Sequence, residues 1–161
     1  MTTPSRLNAS PLTLHGHRFT EITIRASEQE NPQGGFSLRT DRDLREHSEN
    51  PSKFLLILTV ELGSSTPEQE SPYTARLKIE GEFEVAETFA AGTPGELVHV
   101  TGASMLYGAC REMLANLSAR STHGMSTLPS VSFANSKAAA SRPAARKAAK
   151  KITKRKPHSP L

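Results

Sequence analysis

Several side chains in this sequence are of types that do chemistry elsewhere. His15 and His17 flank Gly16 and offer two imidazoles, common transition-metal ligands. Zinc sites need three or four protein ligands, and no matched third or fourth follows here, so the pair reads as surface histidines on a strand. Glu80, Glu82 and Glu84 share one parity. Paired carboxylates can do acid–base work, but these stand in line with Arg76 and Lys78 and read as a solvated face. Cys110 is the single cysteine. Beside a distant histidine it would be a nucleophile; on the apolar side of a helix it reads as a small core residue. Arg111 and Glu112 form a helix-surface or interface salt bridge in this reading. There is no G-x-x-x-x-G-K-[ST] loop and no G-x-G-x-x-G, hence no nucleotide signature. No catalytic residue, metal site or cofactor is assigned.

The remaining chemistry is electrostatic. The net charge of +4 conceals a division along the chain. All 16 acidic residues lie between Glu21 and Glu112, against eleven basic residues before position 136, so this body carries −5. Residues 136–161 hold no acid and nine bases, among them Lys147, Lys150, Lys151, Lys154, Arg155 and Lys156, giving +9. This tail is mostly Ala, Lys, Arg, Ser and Pro, and is too poor in apolar surface to offset its ordering entropy, so disorder is expected. Residues 144–151 have the composition of a transient helix. Three uses are open: a solubilising extension, a phosphate-binding arm for nucleic acid whose affinity falls with salt, or a contact for an acidic protein surface or anionic lipid. The tail has no aromatic residue, so base stacking is not available to it.

The elements that would position these groups follow from periodicity. The chain has 161 residues, 35% of them hydrophobic, which predicts one domain, with either a thin core or part of the chain outside it. Residues 1–11 are polar and read as loose; the folding unit is 12–135. Leu12, Leu14, Ile22 and Ile24 alternate with polar residues, while Phe19 falls on the other parity and Gly16 suggests a bulge. This predicts a long, kinked strand over Leu12–Ala26. Residues 28–35 read as loop, 36–40 as a short strand and 41–51 as charged loop. Residues 54–62, FLLILTVEL, are almost continuously apolar and read as a strand buried on both faces, one of them covered by a partner. Tyr73–Val85 alternates strictly, with Tyr73, Ala75, Leu77, Ile79, Gly81, Phe83 and Val85 on the buried face. From Leu106 the period becomes helical through Cys110, Met113, Leu114 and Leu117, with Ser104 as N-cap and the end near Ala119. Gly108 is a weak spot in this helix. Leu128, Val131 and Phe133 follow, with Pro129 against a central strand. No run of 18 apolar residues predicts a membrane span. With a lone cysteine and no secretory h-region, a reducing, cytoplasmic setting is expected.

Residues 105–135 resemble the closing helix and following apolar loop of the SecB protein-export chaperone family. Leu106, Tyr107, Ala109, Arg111, Glu112, Leu117, Arg120, Leu128, Val131 and Phe133 carry the resemblance, and Gly108 stands where the family usually has Pro. The four strands fall in the family's order. The resemblance implies an α+β fold: a four-stranded antiparallel sheet, with one long helix and a shorter C-terminal apolar or helical segment on one side. It also implies a homotetramer built as a dimer of dimers, and an ATP-independent holdase with no cofactor. Clients would be unfolded preproteins for export, with SecA as a partner, or one unstable protein such as an antitoxin. Phe36, Leu38, Leu128, Val131 and Phe133 are the implied client groove. Leu106, Cys110, Met113 and Leu117 are implied as sheet-packing or oligomer contacts. The basic tail departs from the acidic end of better-studied members, which sets the SecA contact apart. The alternative reading is a nucleic-acid-associated protein acting through the tail on an oligomeric body.

Overall fold

The computed structural model describes residues 9–134. The disorder expected of the tail lies outside these residues, as does most of the loose N-terminal segment. Four strands, β1 (Leu12–Ala26), β2 (Phe36–Glu46), β3 (Lys53–Ser64) and β4 (Tyr73–Val85), form one antiparallel sheet in the order β1-β4-β3-β2. Helical structure then runs without a break through α1 (Pro94–Leu97), a π-helical turn (Val98–Gly102) and α2 (Ala103–Ser118). It covers one face of the sheet, the α+β arrangement expected. No helix among the described residues is long and apolar enough to cross a membrane.

β1 solves its parity conflict with two bulges rather than one. The pairing to β4 slips between Leu14 and Gly16 and again between Phe19 and Glu21. Each extra residue flips the alternation once. Leu12 and Leu14, then Phe19, then Ile22 and Ile24 therefore all pair with residues of β4's buried face. β1 and β2 lie at opposite edges, so residues 27–35 must cross one end of the sheet. They do so against the β3–β4 turn, with Ser27 N donating to Pro72 O and Gly34 N to Glu70 O, both at 2.9 Å. A Cβ on Gly34 would stand 2.2 Å from Gln69 O, so the crossing has room only for glycine there.

Two expectations are corrected. Residues 41–46 are strand, not loop: β2 continues to Glu46, in unbroken register with Phe54. Arg39, Asp41, Asp43 and Arg45 point away from the helix, which is how an edge strand with one wet face comes to look like a loop. The helix starts ten residues earlier than Ser104. Thr93 Oγ1 accepts from Glu96 N at 3.3 Å and lies 3.0 Å from Glu96 Oε2, with Pro94 in the first turn. Thr-Pro-Gly-Glu has the spacing of a capping box, here with the Glu96 carboxylate accepting from the Thr93 hydroxyl. Ser104 instead donates to Val100 O within the helix.

Two glycines set the fit between helix and sheet. A Cβ on Gly81 would stand 2.8 Å from both Leu106 Cδ2 and Phe83 Cε2. A Cβ on Gly102 would stand 3.1 Å from Phe83 Cζ. Leu106 thus fills the notch above Gly81, and Phe83 fills the notch below Gly102. Gly81→Ala is expected to cost about 1–3 kcal/mol, as overpacking of a filled core does. Gly108, with nothing within 4 Å, should behave oppositely: Gly108→Ala gains roughly 0.5–1 kcal/mol of helix propensity. Denaturant unfolding of both variants checks the pair of signs.

Candidate functional site

The polar candidates pair with one another across the sheet's open face. His15 Nε2 lies 2.7 Å from Glu84 Oε2, and Arg18 binds Glu80 Oε2 through Nε and Nη2 at 3.0 and 2.9 Å. Arg76 bridges Glu21 and Glu61. The carboxylates of β4 and their neighbours thus neutralise cations of adjoining strands in an exposed lattice, where each pair contributes little. His17 turns to Phe19, edge to face at 6.5 Å. No group of three His, Cys, Asp or Glu among the described residues could hold a metal. β3 does bury residues of both faces. Phe54, Leu56, Leu58, Val60 and Leu62 face the helix, and Ile57 on the other face is only 7% exposed between its partners Asp43 and Glu80.

The apolar residues named from the sequence divide sharply. Leu106 and Cys110 are fully buried in the chain's own core. Met113 is half-buried and Leu117 exposed, and with Met105 and Ala109 they make a stripe at four-residue spacing. Phe36 and Val131 are exposed, and Leu38 is half-buried against the core. Leu128 and Phe133 are inside, 1% and 4% exposed.

These last two belong to an extended segment, residues 125–134, laid along the helix. Among the described residues no backbone–backbone hydrogen bond ties it down. Side chains hold it instead. Tyr107 Oη donates to Pro129 O at 2.7 Å and Arg111 Nε to Leu128 O at 3.1 Å. Ser118 Oγ both accepts from Ser126 N at 2.8 Å and donates to Ser126 O at 3.2 Å. Just upstream, Tyr73 Oη donates to Gly124 O at 2.7 Å, and Gly124 turns the chain with φ of 74°. Tyr107, Arg111 and Ser118 share one side of α2, away from the Met105–Leu117 stripe. Phe133 closes the run: it meets Tyr107 edge to face at 5.8 Å, and Arg42 of β2 sits 5.0 Å over its ring.

The electrostatics here are those of a partly buried seam. Burial raises the Tyr107 hydroxyl's pKa, partly countered by Arg111, so Tyr107 stays a donor. Burial lowers Arg42, which also donates to His99 O at 3.0 Å. His99 is lowered by burial and then by Arg42, and its Nε2 is buried without a hydrogen-bond partner among the described residues. Arg42 is absent from the candidates that the sequence suggests, since residues 41–51 read there as loop. Arg111 reads there as a salt-bridge partner, whereas its guanidinium is spent on a main-chain carbonyl.

No family model matches the sequence, and no curated protein does. Solved structures do. One is the Mycobacterium tuberculosis Rv1957 SecB-like chaperone in complex with a ChAD peptide from the Rv1956 HigA1 antitoxin. It is 15% identical, with a TM-score of 0.58, over 76% of this chain and 91% of that one. Another is a protein of unknown function from Streptococcus agalactiae, 9% identical, with a TM-score of 0.45, over 76% of this chain and 99% of that one. At 15% identity the likeness to the first of these concerns the fold: this chain has a SecB-like one.

Burial pushes the Cys110 thiol up to about 12. The raised value means that the buried neutral thiol adds stability below its ordinary pKa of 9.0, lost as pH rises from there towards 12. Native protein at pH 8 should therefore resist iodoacetamide for hours and be alkylated at Cys110 only after unfolding, as read by mass spectrometry.

Proposed function

We propose that this chain is an ATP-independent holdase, binding non-native polypeptide through apolar and main-chain contacts rather than transforming a substrate. The observation that carries the reading is the set of side chains on α2 that grip the main chain of an extended apolar segment. Donors aimed at carbonyls recognise any extended peptide, which suits a protein whose clients differ in sequence. The SecB-like fold agrees, and one protein sharing it has been solved as a chaperone with an antitoxin peptide bound. Exposed Phe36 and Val131 offer further apolar contacts to a client, and many modest contacts along one chain add avidity. A holdase of this kind works by mass action, favouring whichever state it binds.

The Met105, Ala109, Met113 and Leu117 stripe is the surface we assign to self-association, in a homotetramer of paired dimers. The clients are export precursors, delivered to SecA, or one unstable protein such as an antitoxin, in the cytoplasm. A second reading, polyanion binding through residues 136–161, has its own support in the nine bases and no acids of that stretch.

Light scattering with a refolding client separates these readings. The full chain should run at four times its 17.4 kDa mass and suppress client aggregation without ATP. Leu117→Glu should lower the mass. Deleting residues 136–161 should leave holding intact while abolishing any salt-sensitive binding of nucleic acid. A monomer that leaves the client's aggregation unchanged would sink the proposal.

A further inference from the structure

Leu128 and Phe133, implied above as groove lining, are both buried against the core. We propose that residues 125–134 are an internal pseudo-client. In this inference they form a displaceable strap occupying a peptide-binding seam between α2 and β2, and an extended apolar segment of a client takes their place. The inference deepens the holdase reading and rests on it.

Three observations point the same way. First, the strap is bound as a foreign peptide would be. Nothing in it pairs with another main chain among the described residues, and it joins no strand. Its carbonyls at Leu128 and Pro129 are met by Arg111 and Tyr107, and Ser118 meets both the N–H and the carbonyl of Ser126. Those contacts read backbone and would serve any sequence. Second, only two of its side chains are anchored: an aliphatic one at Leu128 and an aromatic one five residues on, with exposed Val131 and small polar residues between. An anchor pair of that type and spacing recurs by chance in unfolded proteins, so clients carrying it are not rare. Third, the seam holds a polar group that an empty apolar cleft would strand, the buried Tyr107 hydroxyl bonded to Pro129 O. An occupant is needed, and the strap is the one at hand when no client is bound. A cis occupant lowers apparent affinity by the fraction of time it leaves the seam open, which spares the protein from binding every apolar surface it meets.

The experiment uses the full chain and a fluorescein-labelled peptide of residues 125–135, MSTLPSVSFAN, followed by fluorescence anisotropy. Leu128→Ser with Phe133→Ser releases the strap and should tighten peptide binding at least about tenfold, the factor recovered when an open fraction near a tenth becomes the whole population. Adding Tyr107→Phe and Arg111→Gln to that variant should abolish binding. Circular dichroism reports whether each variant folds. If one does not, hydrogen exchange on the unaltered chain still decides the matter, because excess peptide should speed exchange at the Ser126 amide. Equal affinity in the unaltered and released chains, binding that survives loss of both donors, or an unmoved Ser126 amide would each overturn the strap. Aggregation suppression is measured on the same samples. A chain that holds a client but gains nothing on release refutes the strap and leaves the holdase standing. A chain that binds the peptide more tightly on release but holds no client supports the strap and refutes the holdase.

Discussion

Everything on the helical face of this protein depends on how closely α2 approaches β4. Gly81 leaves a notch that Leu106 enters, and Gly102 leaves one that receives the Phe83 ring. The two contacts are reciprocal, lying one helical turn apart on one side and two residues apart on the same sheet face on the other. Together they fix both the height of the helix over the sheet and its position along β4. Cys110 and Leu114 then fall into the core, since they follow Leu106 at four-residue steps. With the helix rotation set in this way, its other two sides have no freedom left. Tyr107, Arg111 and Ser118 flank the core residues on one side, and the Met105, Ala109, Met113 and Leu117 stripe flanks them on the other.

The strap follows from that rotation. A helix fixed against β4 leaves part of the sheet's inner face, towards β2, for other groups to cover. The chain fills this gap with a segment that buries apolar side chains at only two points, Leu128 and Phe133, and is held by side-chain bonds to its backbone elsewhere. Leu128 and Phe133 supply most of the hydrophobic gain, roughly 1.5–3 kcal/mol for each fully buried side chain. The side-chain hydrogen bonds add about 0.5–1.5 kcal/mol each, because they replace bonds to water. Such a seam is moderately stable and weakly selective, a combination suited to exchange with other peptides.

Much of the sheet is legible in the order of the amino acids. β4 reads at once, because its alternation is strict and one face is buried while the other is wet. β1 reads as a strand, and Phe19's odd parity signals irregularity, though the second bulge shows only in the pairing with β4. β2 is legible only in its first half, because an edge strand whose outer face is Arg39, Asp41, Asp43 and Arg45 has the composition of a loop. Leu44 carries the signal for the second half, since it shares Leu38's parity. The helix start is signalled at Thr93, Pro94 and Glu96, but the apolar period that marks a helix most strongly begins only later, at Leu106. Within the seam, Leu128 and Phe133 stand out by their apolar character and yet read as groove lining. A pattern of residue types does not distinguish a wall from an occupant.

The sequence by itself determined the elements, their order, the segregation of negative body from positive tail, and the residues too apolar to stay in water. Those are local properties of composition and period, and they do not depend on what the chain folds against. Only the tertiary structure decided which side of the helix meets the sheet, that Arg111 spends its guanidinium on a carbonyl, and that Arg42 lies over Phe133, 91 positions away in the chain. The physical reason is that these contacts arise from close packing between distant segments. There, the absence of one methyl group at Gly81 decides where every side chain of a long helix will point.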